Sequence, residues 1–354
     1  MCLTAHDLST ALLIEDPNCY IISSNVTLQE IYELAVKMGI DADPRGVSGV
    51  KKYLASQKKA YEELSKAKKD IFDRESFENP YSDTRILFGD LNKKVNKVMA
   101  GIDSNGAEAL LVDRLNERGA GIDLLIAHHP AGHALASLHE VMDIQVDTFA
   151  SYGVPENVAY SLLRETMGFV KRRFGPLNHS QAVDTARLLD VPLLVLHTVW
   201  DNIGDAFMKK YIAAKKFDNV GEVLDAISEI PEFKEAILGK AGPSIVCGSE
   251  KARTGKIAVS FTGGTNPSKE LYIELAKAGV GTLVEMHIPE ESVQELKKAH
   301  INAIDVGHMA ADSIGANIFL DALEARGVEV VPVSGLIRIK RSAKVSQVSR
   351  VSKV

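Results

Sequence analysis

The chain has 354 residues, of which 45% are hydrophobic and 25% charged, and its formal net charge is -6. This composition is typical of a globular protein with one large domain or two, and the acidic balance argues against nucleic acid as the main partner. The three cysteines, Cys2, Cys19 and Cys247, form no Cys-x-x-Cys pair, so neither a disulfide framework nor a thiolate zinc site is predicted. We find no signal peptide and no apolar stretch long enough to span a bilayer, and we expect a cytoplasmic protein without membrane contact.

The start of the chain has a helical pattern. Apolar residues recur at helical spacing in residues 27–38 and 47–72, and Thr27 with Glu30 forms a capping box. Turn-forming residues at 78–83 suggest a boundary. We therefore predict a helical N-terminal extension over residues 1–83. It packs as a cap on the main domain or forms a coiled-coil arm, and the absence of a strict heptad favours the cap.

Strands and helices alternate after that boundary. This pattern predicts an α/β fold with mostly parallel sheets flanked by helices, over residues 84–340. Its two halves, at about 84–205 and 250–340, are joined by a helical segment. Residues 341–354 form a basic tail, which is either frayed or in contact with a polyanion. The predicted strands are residues 97–102, 124–128, 193–197, 256–261, 282–286, 303–306 and 328–331, and the predicted helices include 107–118, 180–189 and most of 202–240.

Three histidine-containing segments each follow a predicted strand. Imidazoles and carboxylates are ligands for divalent transition metals, and the carboxyl ends of strands are where sites form in open α/β sheets. The three segments are therefore expected to converge on one site with enough ligands for two metal ions. They read Ile126-Ala127-His128-His129-Pro130, Leu196-His197-Thr198-Val199-Trp200-Asp201 and Asp305-Val306-Gly307-His308-Met309-Ala310-Ala311-Asp312.

Each segment alone has a structural alternative. The pair His128-His129 is weak evidence, because a buried histidine with satisfied hydrogen bonds is the commoner case; before Pro130, however, the backbone can turn so that the two rings serve different metals. His308 and Asp312 are stronger, because an i, i+4 spacing puts both on one helix face. The alternative is an ordinary helix start, where a carboxylate such as Asp312 is favourable in any case.

In this order, the three segments resemble those of the Nif-three-like dinuclear metal-centre proteins, a family that includes type 2 homologues of GTP cyclohydrolase I. The family has a His-His pair after an early strand, a His-Thr-Asn-Leu-Asp segment in mid-chain and a Gly-His-x-x-x-Glu segment near the C-terminus. The resemblance covers roughly residues 87–339. It extends to the predicted strand end Gly101-Ile102-Asp103, which is similar to the family's early strand with its Asp.

The resemblance implies a ligand set and an assembly. By position, the metal ligands fall on His128, His129, Asp201, His308 and Asp312, with His197 and Asp103 as residues that support the ligands. The resemblance also implies two divalent ions per chain, without distinguishing zinc, iron, manganese and nickel. It further implies self-association as a homo-oligomer, with six subunits as in the family's rings.

The chain also departs from the family pattern. Asp312 stands where the family usually has Glu, which shortens the carboxylate arm by one methylene and predicts that one of the two ions binds more weakly. Val199-Trp200 replaces Asn-Leu. The N-terminal helical region is not part of the family pattern.

A second candidate site lies at Gly263-Gly264, after a predicted strand and before a helix. These glycines could present backbone N–H groups to an anion such as a phosphate. The alternative, which we favour, is a tight connection in which Asn266 caps the helix and Pro267 is its first residue. His133, His139 and Glu140 either line the metal site or belong to a polar loop and helix start, and we expect the latter.

Two functions compete on this evidence. The first is a metal-dependent hydrolase, either GTP cyclohydrolase-like or a phosphoesterase, acting on a nucleotide-like or phosphorylated small molecule. Two ions held by imidazoles and carboxylates can activate water and hold a phosphate or carbonyl oxygen. The second is a non-enzymatic, metal-stabilised oligomeric scaffold or partner-binding protein. No nucleophile motif with Cys-His or Gly-x-Ser-x-Gly pattern is present, and the sequence identifies no dedicated general base.

Overall fold

A computed structural model describes residues 26–341 as a mixed α/β fold with two main sheets and a two-stranded ribbon. The strands are β1 (Val26–Thr27), β2 (Thr84–Phe88), β3 (Lys94–Val95), β4 (Lys97–Gly101), β5 (Leu124–Ala127), β6 (Leu193–Leu196), β7 (Ser244–Cys247), β8 (Lys256–Ser260), β9 (Val280–Glu285), β10 (Asn302–Asp305) and β11 (Glu329–Val333). The α-helices are α1 (Leu28–Asp41), α2 (Gly46–Glu62), α3 (Lys66–Asp70), α4 (Gly106–Asn116), α5 (Gly132–Ala136), α6 (Ile144–Ser151), α7 (Glu156–Phe174), α8 (Gln181–Leu188), α9 (His197–Ala213), α10 (Val220–Ser228), α11 (Pro231–Leu238), α12 (Lys269–Lys277), α13 (Glu290–Lys298) and α14 (His308–Glu324).

Both main sheets are largely parallel, which confirms the predicted fold class. The first has the order β11-β4-β5-β6-β2, and only its edge strand β2 runs antiparallel. The second has the order β7-β10-β9-β8, with β7 as the antiparallel edge. Strand β11 returns from the end of the chain to the first sheet, so the two sheets are not contiguous in sequence. The predicted division at residues 83, 205 and 250 stays a prediction.

Helices α9 and α14 lie between the two sheets. Successive side chains of a strand face opposite sides, so each sheet has two apolar faces to cover. On the first sheet, Ala100 and Ile126 face α9 and α14, whereas Met99 and Leu125 face α4 and α8. The second sheet faces the same helix pair with residues such as Val284 and packs its other face on α6, α7, α12 and α13. The pair thus contributes to both cores and joins the sheets.

The two central helices approach each other through glycines. Gly204 of α9 and Gly315 of α14 meet at the crossing, where a Cβ built on Gly315 would lie 1.9 Å from the carbonyl oxygen of Trp200. Only a residue without a side chain fits there. This close approach fixes the distance between the N-terminal turns of α9 and α14.

The N-terminal helix packs on α9. Leu28, Ile31 and Ala35 of α1 are fully buried in the core that α9 shares with the first sheet. Thr27 forms the predicted capping box with Glu30. Helix α1 is therefore packed on the main domain, and the helical extension over residues 1–83 stays a prediction.

The end of the described chain is held by ion pairs. Arg338 pairs with Asp321 and Glu324 of α14, at 2.5 and 2.9 Å. All but the first residue of the predicted basic tail lies outside the described residues, as do Cys2 and Cys19, whereas Cys247 is a buried free thiol. No helix between residues 26 and 341 is long and apolar enough to cross a membrane.

Candidate metal centre

The three histidine segments converge between the carboxyl end of the first sheet and the N-termini of α9 and α14. His128 and His129 directly follow β5, and their backbone N–H groups donate to the carbonyl oxygens of Gly101 and Ile102. His197 is the first residue of α9 and His308 the first of α14. The crossing of these two helices therefore brings distant parts of the sequence to one place.

Each of the two helices contributes a histidine and, one turn later, a carboxylate. Asp201 follows His197, and Asp312 follows His308, so both pairs have i, i+4 spacing on a helix. The helical placement of His308 and Asp312 agrees with the sequence prediction. Helix α9, however, already begins at His197 and not after the motif. Gly307 makes the turn into α14 with a φ of 92°, and a Cβ there would lie 2.4 Å from the carbonyl oxygen of Ala241.

Asp312 lies at the centre of the cluster. Its Oδ2 is 3.6 Å from Nε2 of His128, 3.5 Å from Nε2 of His129 and 3.4 Å from Nε2 of His308. Asp201 approaches from α9, with Oδ1 at 3.3 Å from Nε2 of His128. The carboxylate of Asp312 therefore reaches three imidazoles in spite of its short arm.

Ligand atoms form three groups that could each hold a metal ion. Within each group, the nitrogen or oxygen atoms lie within 4.8 Å of one another. Two groups share Asp312 and the third consists of imidazoles alone. The groups are His129, His308 and Asp312; His128, Asp201 and Asp312; and His128, His129 and His197.

Several of these atoms are buried without a hydrogen-bond partner. They are Nε2 of His128, Oδ1 of Asp201 and both carboxyl oxygens of Asp312. Burying such groups unpaired is costly, because their interactions with water are lost. A divalent cation among them would replace the lost interactions, so the residues fit a metal site.

Other groups fix the orientation of three histidines. His128 donates from Nδ1 to the carbonyl oxygen of Leu196 at 3.2 Å, and Nδ1 of His129 lies 2.6 Å from Oδ1 of Asp103. Nδ1 of His197 lies 2.8 Å from Oδ2 of Asp83. Such contacts on one ring nitrogen leave the other for a metal and set the tautomer of the ligand.

Sequence reasoning missed Asp83. It is fully buried, and it also accepts a hydrogen bond from the hydroxyl of Thr198 at 2.7 Å. We assigned residues 78–83 to a boundary turn, because Asn, Pro, Ser and Asp in succession indicate exposed turns. The tertiary fold instead buries Tyr81 and Asp83 against α9, and no local pattern marks that.

Val199 and Trp200, which replace residues typical of the family, have structural roles. The Trp200 ring stacks on the His128 ring at a centroid distance of 5.4 Å and an interplanar angle of 9°. Val199 packs on Gly39 of α1, where a Cβ would lie 2.9 Å from the valine side chain. The departures therefore adapt α9 to the imidazole on one side and to the N-terminal helix on another.

The two buried carboxylates dominate the electrostatics of the centre. Burial by itself would lower the pKa of His128, but Asp312 and Asp201 outweigh it and raise that pKa well above its ordinary value. Burial would raise the pKa of Asp312, yet His128 and His129 hold it far below its usual range. At His308, burial and the neighbouring His287 lower the pKa to about 4. The centre thus combines an anionic middle with an imidazole that is neutral at neutral pH.

A cavity of about 270 Å³ opens onto the centre. It is lined by the four histidines of the centre, by Asp201 and Asp312, by the loop after β8, and by Glu285 and His287. Apolar side chains such as Phe174 and Phe261 form part of the wall. Its size suits a small molecule.

The glycine loop lines this cavity, but the helix after it begins later than predicted. Gly263 and Gly264 have φ angles of 109° and 82°, and Nε2 of Gln145 donates to the carbonyl oxygen of Gly263 at 2.8 Å. Helix α12 starts at Lys269 with Ser268 as its N-cap, so the prediction of Asn266 as N-cap and Pro267 as first helical residue is wrong. A longer loop, held by Gln145 and by Asn266 donating to the His287 carbonyl oxygen, bridges strand and helix.

Other sequence candidates lie apart from the cavity wall. His133, His139 and Glu140 are in and after the short helix α5, and Leu135 and Leu138 from that region line the cavity instead. The placement of His133, His139 and Glu140 agrees with the expectation that they belong to a polar loop and helix start and do not line the metal site.

Comparison with solved structures gives one informative likeness. The NIF3 superfamily protein from Sphaerobacter thermophilus is 32% identical to this chain with a TM-score of 0.66, and the match covers 72% of this chain and 92% of that chain. Reduced HcgD from Methanocaldococcus jannaschii is 14% identical (TM-score 0.44; 80% of this chain, 96% of that chain). A Bacillus cereus protein related to NIF3 is 11% identical (TM-score 0.42; 86% and 96%). Likenesses as distant as the last two carry no argument about residues or function. No protein-family model and no curated protein matches the chain.

Proposed function

The chain belongs to the NIF3 superfamily, and on that premise we propose that it is a dinuclear metal-dependent hydrolase acting on a phosphorylated or nucleotide-like small molecule. The observation that carries the proposal is the position of Asp312, which is common to two groups of ligand atoms. A carboxylate shared in this way is suited to bridge two ions. Its oxygens are buried and lack other partners.

Five residues would hold the two ions. His129, His308 and Asp312 would hold one ion, and His128, Asp201 and Asp312 would hold the other. This is the ligand set that the sequence resemblance implies. Zinc, iron, manganese and nickel all accept imidazole and carboxylate ligands, so the ligand types alone do not select among them.

The surrounding residues define what the centre can do. When bound, two divalent ions supply activation of water and neutralisation of the charge that develops on a phosphoryl or carbonyl oxygen. Asp83 and Asp103 keep the rings of His197 and His129 in place. Gly264 lines the same cavity, next to the proposed ligands. Together these groups suit a reaction in which water attacks a compact anionic substrate.

The cavity also restricts the substrate. Among the described residues that line it there is no lysine or arginine. A triphosphate carries several negative charges that proteins usually meet with such side chains and Mg²⁺. The cavity therefore favours a small molecule with a single phosphate, held by the ions and the glycine loop, over a nucleoside triphosphate.

The test is turnover by the metal-loaded full chain on phosphate monoesters, nucleoside monophosphates and GTP. We expect turnover that is lost on metal removal and lowered by orders of magnitude in Asp201→Asn and Asp312→Asn. His133→Ala, an exposed histidine outside the cavity wall, serves as the matched control and should keep full activity. Absence of turnover in the loaded wild type, or full activity in Asp312→Asn, would refute the proposal.

A metal-stabilised scaffold is the second candidate function. Proposed ligands come from the N-terminal turns of both α9 and α14. Bound ions would therefore hold together the two helices that pack between the sheets. A chain that binds two ions, gains stability from them and hydrolyses nothing in the panel would favour this function. Hexamer formation and a cytoplasmic location remain predictions, and light scattering on the full chain tests the hexamer.

A further inference from the structure

One buried acid in the cavity has no place in the ligand set. Glu285 is the last residue of β9, is 2% exposed and lines the same cavity as His128, His308 and Asp312. Among the described residues that line the cavity, the carboxylates are those of Asp201, Asp312 and Glu285. The first two are predicted ligands, so Glu285 is the carboxyl group left for other chemistry.

Neighbouring elements hold this carboxyl group in a fixed position. The hydroxyl of Tyr272 on α12 donates to Oε2 of Glu285 at 2.9 Å, and Tyr272 is itself fully buried. Asp305 on β10 and Ser260 on β8 are its register partners in the adjacent parallel strands. The carboxylate of Asp305 accepts backbone N–H groups from Ile288 and Gly307. The site is thus built from three strands and a helix.

The surroundings keep the carboxyl group protonated. Burial is the main cause that raises the pKa of Glu285, and the negative charge of Asp305 adds to it. The hydrogen bond from Tyr272 acts in the opposite direction, because it stabilises the carboxylate. The result is a pKa of about 8, so the group carries its proton at neutral pH.

The proposed hydrolysis needs a proton donor that is not one of the five proposed ligands. Breaking the bond between phosphorus and an ester oxygen leaves an alkoxide or phenoxide, and this oxygen needs a proton unless it is a very weak base. Within the described lining, lysine and arginine are absent. The other candidates are His197 and His287. Nδ1 of His197 is held by Asp83 at 2.8 Å, and the ring of His287 packs against that of His308 at a centroid distance of 4.5 Å.

We propose that Glu285 is the catalytic acid that protonates the leaving-group oxygen of the substrate, an inference that rests on the proposed hydrolase function. Water adds its oxygen to phosphorus while the bond from phosphorus to the ester oxygen breaks. The proton of Glu285 moves to the departing oxygen and gives the alcohol. The proton released by the attacking water restores the carboxyl group, so each turnover converts a monoester and water into an alcohol and phosphate.

The experiment compares two substrates that differ only in the leaving group. p-Nitrophenolate is a weak base and leaves without help, whereas phenolate is a stronger base and needs protonation. In the metal-loaded full chain, Glu285→Gln should lower kcat/KM for phenyl phosphate by about 100-fold or more and that for p-nitrophenyl phosphate by only a few-fold. Glutamine has the same shape, and its amide oxygen can still accept the hydrogen bond from Tyr272.

Two controls separate this role from a structural one. Tyr272→Phe removes the hydrogen bond that favours the ionised form, so the basic limb of the pH profile for phenyl phosphate should move to higher pH. His287→Gln should lower kcat/KM for phenyl phosphate and kcat/KM for p-nitrophenyl phosphate by a similar factor. A larger, leaving-group-dependent loss in His287→Gln than in Glu285→Gln would assign the acid to His287 and overturn the inference.

The protonation state of Glu285 can also be measured without substrate. Infrared difference spectra of the metal-free wild type against Glu285→Gln should show a protonated carboxyl band at pH 7, which disappears as the pH rises above about 8. A Glu285 that is ionised at pH 7, or an equal loss for both esters in Glu285→Gln, would overturn the inference. If the wild type hydrolyses neither ester, the proposed function itself fails and this inference fails with it.

Discussion

The contact between Gly204 and Gly315 allows a test of how the central helices position the metal ligands. In Gly315→Ala, the new Cβ would lie 1.9 Å from the carbonyl oxygen of Trp200, whereas real Cβ contacts essentially never fall below 3.0 Å. The difference between these distances requires α14 and α9 to separate by about 1.1 Å. Overpacking of this kind costs about 1–3 kcal/mol, and the better helix propensity of alanine returns up to about 1 kcal/mol.

This displacement would also reach the metal centre. Gly315 lies three residues after Asp312, and Gly204 lies three residues after Asp201. Functional groups must stay within about 0.5 Å of their working geometry, so a shift of this size should lower metal affinity at least about 10-fold. The matched control is Gly204→Ala, whose Cβ would lie 3.6 Å from the nearest atom, the carbonyl oxygen of Ala311, an ordinary contact.

The assay combines two measurements on each variant. Denaturant unfolding of the metal-free chain gives the free energy of unfolding, and competition with a chromogenic chelator gives metal affinity. We expect Gly315→Ala to lose about 1–2 kcal/mol and most of its metal affinity. Gly204→Ala should keep both or gain slightly in stability. Wild-type affinity and stability in Gly315→Ala would refute the reasoning that the glycine crossing sets the ligand geometry.

Three further predictions follow from individual side chains. Because Glu285 has a pKa of about 8 in the folded chain against an ordinary 4.5, its contribution to stability is complete below pH 4.5 and is lost as the pH rises through 8. Denaturant unfolding of the metal-free chain should therefore show that the free energy of unfolding of the wild type falls by about 2–5 kcal/mol relative to that of Glu285→Gln between pH 4.5 and 8. Parallel plots of this free energy against pH for the two proteins would contradict the prediction. In Asp103→Asn the charge that orients His129, a proposed ligand, is removed, and metal titration should show a loss of about 10–100-fold in affinity. Asp312→Glu adds a methylene to a carboxylate that already reaches three imidazoles. Calorimetry should therefore find no gain in metal affinity, and denaturant unfolding should find a loss of about 1–3 kcal/mol in the free energy of unfolding. A second ion that binds more tightly to Asp312→Glu than to the wild type would instead support the sequence prediction that the short arm of Asp312 weakens one site.

The sequence predicted the fold class and the convergence of the three histidine segments for the same reason. Short apolar runs alternating with helical patterns specify parallel strands, and the histidine segments follow three of them. The i, i+4 spacing of His308 and Asp312 placed both on one helix face, where they lie in α14. The i, i+4 spacing of His197 and Asp201 was equally visible. The apolar run before His197, however, led us to predict that the strand extends to His197, where α9 in fact begins.

The missed residues depend on tertiary packing. Asp83 lies in a segment with local turn chemistry, yet it is buried against α9 and contacts His197. Glu285 lies near the end of a predicted strand, as many charged residues do, and only the neighbouring Tyr272 and Asp305 give it a distinct environment. Strand β2 was missed because it is an antiparallel edge strand that ends soon after the turn. The close approach at Gly315 involves residues more than a hundred positions apart, which single-sequence patterns do not report.

The measurement that tests the account most directly is the metal content of the reloaded chain, taken with ligand variants. By mass spectrometry of the metals, the wild type and the control His133→Ala should each contain two ions per chain. His308→Ala and Asp201→Asn should each lose one ion, and Asp312→Ala should lose both, because its carboxylate belongs to both groups. Fewer than one ion in the wild type, or two ions retained in Asp312→Ala, would contradict a centre built around Asp312.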